Sequence, residues 1–148
     1  MNKMYVRFAL SILLAAMLIG PVIAKDDHDD SPIVKHMERV ASNYKKLRRQ
    51  ARRMKFDDTS VKMVAQMQIH VIGAMHENFE VAEKLSGKEK KLMILNFRKD
   101  MSKLVKKLLD LEIALLEDRK ADAKRMIGEL AKHKSDGHEK YTEEGGES

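Results

Sequence analysis

The chain has 148 residues, with 29 Lys and Arg against 23 Asp and Glu, a formal net charge of +6 and no cysteine. That length suits one domain, and so mild a basic surplus reads as solvated surface rather than a nucleic-acid face. Without disulfides, core packing must hold the fold, alone or with a bound cofactor.

Residues 1–24 carry the pattern of a secretory signal. Lys3 and Arg7 precede the apolar run Phe8 to Ile19, and Val22-Ile23-Ala24 closes it with a small residue at the cleavage position. The run is short for a membrane span and aspartates follow at once, so the expectation is a periplasmic protein with no stable membrane insertion. Removing Lys3 and Arg7 lowers the net charge from +6 to +4. Residues 25–31 read as an acidic linker with His28 among four aspartates. An amino-terminal copper site needs a histidine third from the mature end, and His28 is fourth.

A domain is expected over 32–141. Ser31-Pro32 has the form of a helix start, a capping hydroxyl followed by proline at the first helical position. Ile33, Met37, Val40, Tyr44 and Leu47 then form a stripe of bundle type. Asp58 and Thr59 are capping candidates for a second helix running to about Leu85, with Val64, Met67, Ile69, Val71, Ile72, Met75 and Phe79 on a broad apolar face. Ser86-Gly87 should end it. A third helix is expected from Lys88 to Leu116, with Leu92, Leu95, Phe97, Met101, Leu104, Leu108 and Leu111 on its inner side. A fourth, capped by Asp118, follows to Tyr141 on Ala123, Ile127, Leu130, Gly137 and Tyr141, and 142–148 is a polar tail. The predicted fold is all-α, an antiparallel up-down-up-down four-helix bundle.

No nucleophile–histidine–acid set, phosphate loop or paired Glu-x-x-His pattern is visible, so an enzyme is not expected. His70 and His76 are about 240° apart around their helix and cannot share one ion. His36 and His133 flank the inward stripes as boundary residues, and a metal-dependent enzyme built on His70, His76 or His133 lacks convergent carboxylates. Met37 and His138 differ. Met37 lies on the inward stripe near the start of the first helix, and His138 at the edge of the last stripe near the chain's end. In an antiparallel bundle those places are side by side, and a thioether facing an imidazole could ligate haem iron axially.

Ile33-x3-Met37-Glu38-x-Val40-x3-Tyr44, Phe97-Arg98 and His138-Glu139-Lys140-Tyr141 resemble segments of the cytochrome b562 family. The likeness covers about 32–141, although 48–95 aligns poorly and is several residues longer. It implies a periplasmic electron-transfer protein holding one non-covalent haem b (iron protoporphyrin IX) through Met37 and His138. Phe97 would pack beside the porphyrin, with Ile33, Val40, Tyr44, Met101 and Leu104 as walls. Two departures stand out: Gly137 replaces a frequent aromatic, and Lys134 occupies the place of a basic residue near the haem edge. The implied partners are haem and a periplasmic redox protein, with no nucleic acid. The alternative is a haem-free exported bundle acting as a binding module.

Overall fold

The computed structural model describes residues 31–141 and, for His138, the backbone alone. The expected signal, all of the acidic linker but Ser31, and the polar tail lie outside the described residues. Among the described residues all regular structure is helical: α1 (Pro32–Arg53), α2 (Asp58–Ala74), the single turn α3 (Glu80–Glu83), α4 (Gly87–Leu116) and α5 (Lys120–Tyr141). No helix among them is long and apolar enough to cross a membrane.

Each long helix buries a narrow stripe. On α1 Val40, Leu47 and Ala51 are buried; on α2 it is Ser60, Val64, Met67, Val71 and Ala74, alternating four and three apart. On α4 the buried set is Phe97, Met101, Leu104, Leu108, Leu111 and Ala114, and on α5 Ala123, Ile127 and Leu130. Such spacing keeps one face inward over many turns. Packing runs α1 on α2, α2 on α4, α4 on α5 and α5 back on α1, so the four stripes share one core.

The helix ends explain where the expected boundaries shift. Ser31 caps α1 by accepting the Val34 N–H at 3.3 Å, with Pro32 behind it. Asp57, rather than Asp58 or Thr59, caps α2: its carboxylate accepts the Thr59 N–H at 2.9 Å, and the Asp57 N–H donates to Ser60 Oγ at 3.0 Å. This reciprocal arrangement satisfies donors that a helix start leaves open. Ser60 is the buried polar residue of the described chain, and its hydroxyl donates to Gln50 Oε1 at 2.8 Å, tying α1 to α2.

The expected second helix does not run through to Leu85. It stops at Ala74 and resumes as α3 after Phe79, which is in extended backbone. Arg98 Nε donates to the freed Met75 carbonyl at 3.2 Å, a tertiary bond that holds the break open. Gly87 has the expected positive φ (56°), yet it opens α4 instead of closing the helix before it. Asp118 does not cap α5. It takes φ 54° in the turn after α4, where its N–H reaches the Leu115 carbonyl at 3.2 Å and the Arg119 N–H reaches Ala114 at 2.8 Å, a Schellman closure. Ile69, Ile72, Leu92 and Leu95, expected inside, are exposed.

Candidate functional site

A single layer of contacts crosses the four long helices at one end. On α1 and α2, His36 Nδ1 and His70 Nδ1 are 3.2 Å apart. From α2 to α4, Arg98 holds the Met75 carbonyl. From α4 to α5, the Tyr141 ring lies edge-on to Phe97 at 5.1 Å, and the Tyr141 hydroxyl donates to Asp100 Oδ2 at 2.8 Å. Met37 directly follows His36, and position 138 lies one turn before Tyr141, so both belong to this layer by their place in the chain.

The expected wall residues are divided by burial. Val40, Phe97, Met101 and Leu104 are buried, whereas Ile33 and Tyr44 are half-buried and packed against the core. Met37 is half-buried and Lys134 exposed. Phe97 does not meet an open interior. Phe79, from the connection after α2, packs against it with centroids 4.7 Å apart and planes tilted by 41°, and meets Tyr141 edge-on at 5.9 Å. Three aromatic rings thus close the core at this end, each pair within the range where edge and offset geometries are favourable.

Outside that aromatic trio lies a surface pocket lined by Met93, Asn96, Lys99, Asp100, Lys103, Lys140 and Tyr141. Asp100 is its electrostatic centre. Lys103 Nζ donates at 2.8 Å, and with Tyr141 and Lys140 it holds the Asp100 carboxyl down to about 2 against the opposing effect of burial. Burial and the bond to Asp100 push the Tyr141 phenol well above its ordinary value.

Two histidine features escape a helix-by-helix reading. His36 and His70 meet across α1 and α2, with ring centroids 5.4 Å apart and planes 53° apart. Gly73 makes that possible: a Cβ there would collide with the His36 ring, so the imidazole rests directly on the α2 backbone. Burial first, then the electrostatic effects of His36 and Arg39, lower the His70 proton affinity below its ordinary value. The signal was present in the sequence, because His36 near one helix start and His70 near the next helix end become neighbours when the two run oppositely. The second feature is His133, half-buried on α5, whose Nε2 is buried with no hydrogen-bond partner among the described residues. His76 is exposed. No three His, Cys, Asp or Glu side chains converge as a metal site among the described residues.

No family model, no curated protein and no solved structure matches the chain.

Proposed function

We propose that the four long helices form an antiparallel up-down-up-down bundle of the cytochrome b562 type, which carries single electrons on one haem b held between Met37 and His138. The supporting observation is the contact layer from His36 through Met75 and Arg98 to Tyr141, because it sets the α1 turn bearing Met37 and the α5 turn bearing position 138 at one end. The donor chemistry fits, since a thioether and a neutral imidazole together would hold haem iron and raise its potential. The walls fit in part. Val40, Met101 and Leu104 offer buried apolar surface, but Phe79 fills the space beside Phe97 and must swing aside. Phe79 sits on the interrupted segment before α3, not within a long helix, so it is the ring free to do so.

When bound, haem supplies a one-electron couple whose potential follows from ligand identity and burial. The chain's own part is to orient two ligands, exclude water with the apolar stripe, and place Lys134 where its point charge can meet a propionate. With Met37 and His138 both committed to the iron, the chain would serve as a carrier and not an enzyme. The expected partner is a periplasmic redox protein, with an acidic face suited to the basic surplus.

A second reading draws on the aromatic trio itself. Phe79, Phe97 and Tyr141 already complete the core, as a haem-free exported bundle acting as a binding module would require. Haemin titration followed by visible spectroscopy, oxidised and then reduced with dithionite, separates the two. The electron-carrier reading expects sharp low-spin bands, lost in Met37→Ala and in His138→Ala and formed at lower haemin concentration in Phe79→Ala. A spectrum indistinguishable from free haemin in all four proteins eliminates it.

A further inference from the structure

The strongest unassigned chemistry lies at the α1–α2 contact. His36 and His70 present their Nδ1 atoms to one another at 3.2 Å. A hydrogen bond at that distance requires one Nδ1 to carry a proton and the other to offer its lone pair. The same separation suits a shared ion. With a metal–nitrogen bond of about 2.0–2.1 Å, two imidazole nitrogens at a tetrahedral angle stand roughly 3.3 Å apart. We propose that His36 and His70 form a two-histidine site for a divalent transition ion such as Zn²⁺, Cu²⁺ or Ni²⁺, with water completing the coordination.

Three observations support this assignment. First, the ligands come from different helices and are already within a few tenths of an ångström of the required separation, so binding needs ring rotation and little backbone movement. Second, Gly73 removes the Cβ that would collide with the His36 ring, which is what lets His36 approach α2 closely enough to face His70. Third, both imidazoles are half-buried between α1 and α2, so the rings are held in place while one side of the pair stays within reach of water and ions.

The surroundings also select the ion. Arg39 acts electrostatically on His70 and opposes any cation there. The site offers two nitrogens and, from these two residues, no carboxylate. Hard ions such as Mg²⁺ and Ca²⁺, which depend on oxygen ligands and charge, have nothing to gain, whereas borderline ions gain directional bonds to imidazole. Binding requires only a tautomer exchange in the donating ring, whose proton moves from Nδ1 to Nε2 through solvent and frees both Nδ1 lone pairs for the ion. The site is independent of the haem proposal, because neither Met37 nor His138 is a ligand.

Calorimetric titration of the purified haem-free protein with Zn²⁺, then Ni²⁺, Cu²⁺ and Mg²⁺, tests it. The expected result is one equivalent of each transition ion bound and no Mg²⁺. His36→Ala and His70→Ala should each weaken binding at least about tenfold, the lower bound set by the 10–100-fold losses seen when only outer-shell support is removed. Gly73→Ala should do the same with both histidines present, by driving the rings apart. His70→Gln, which retains a polar partner for His36, serves as the folded control, and circular dichroism verifies helicity in every variant. His76→Ala and His138→Ala should bind as the wild type does. No Zn²⁺ uptake by the wild type, or undiminished uptake in both His36→Ala and His70→Ala, overturns the site.

Discussion

The two ends of the molecule are built differently. At the end holding the α1–α2 and α4–α5 turns, the core is sealed: Leu47, Val64, Leu108, Leu111, Ala114 and Ala123 have no exposed surface. Toward the opposite end the α2 stripe stays fully buried through Val71 and Ala74 beneath the aromatic trio, but the stripes of α1, α4 and α5 loosen, with Val40 and Leu104 at 8 % and Met101 and Leu130 at 6 %, and Ile33, Met37 and Tyr44 only half-buried. That second end has an interrupted helix, a histidine pair and an aspartate held by two lysines and a tyrosine. One end specifies the fold; the other, less completely buried, holds the residues with chemistry.

The largest expected effect breaks this contrast at the sealed end. Leu108→Ala removes a side chain with no exposure and leaves a cavity that four packed helices cannot easily close, which costs about 3 kcal/mol. Ile33→Ala at the open end, half-buried on the first turn of α1, should cost about 1 kcal/mol, since much of that side chain already contacts water. Urea unfolding of the two variants measures the difference. Equal losses would mean that the ends are equally packed, and the comparison fails.

A smaller effect tests how the open end is held electrostatically. Hydrogen bonding by Lys103, then Tyr141 and Lys140, depresses Asp100 to about 2 from 3.8. A carboxylate depressed in the folded state contributes stability that is fully present above the unfolded value and is lost as pH falls through the folded one. The Asp100 contribution should therefore hold at neutral pH and disappear between about pH 4 and pH 2. Asp100→Asn should cost about 1–2 kcal/mol at pH 7 and almost nothing near pH 2, and Tyr141→Phe about 1 kcal/mol at pH 7. Thermal melts across that range give the profile. An Asp100→Asn penalty unchanged at pH 2 would refute the linkage.

What was legible from sequence follows the same division. Ser31-Pro32, the Ile33-to-Leu47 stripe and the α4 face from Phe97 to Leu111 are local patterns, and local patterns determine the helices they lie in. The break after Ala74 was not legible because nothing in Met75 to Phe79 is a strong breaker; a guanidinium twenty-three residues further on, Arg98, takes the freed carbonyl. Phe79 fell on the same apolar period it would have had in an unbroken helix, so its place among Phe97 and Tyr141 stayed hidden. At the candidate site, sequence placed the Met37 turn and position 138 near one end from helix order alone. It missed His36 with His70, because angles around one helix say nothing about partners on the next.

The smallest expected effects sharpen the sealed end further, because both of its turns place a non-glycine residue in left-handed backbone: Met54 at φ 50° and Asp118 at φ 54°. An L side chain resists that region where glycine does not, although a short polar residue such as aspartate resists less. Met54→Gly should therefore stabilise the protein by about 1 kcal/mol. Asp118→Gly should gain about 0.5 kcal/mol, since its Schellman bonds to Leu115 and Ala114 come from backbone and survive the change. The ion pair it forfeits, Lys120 Nζ to Asp118 Oδ1 at 3.2 Å, is exposed and of little value. Chemical unfolding should detect both gains while the Zn²⁺ and haemin titrations stay as in the wild type. A gain in stability that also altered either titration would show the two ends to be coupled, and the division of labour between them would have to be abandoned.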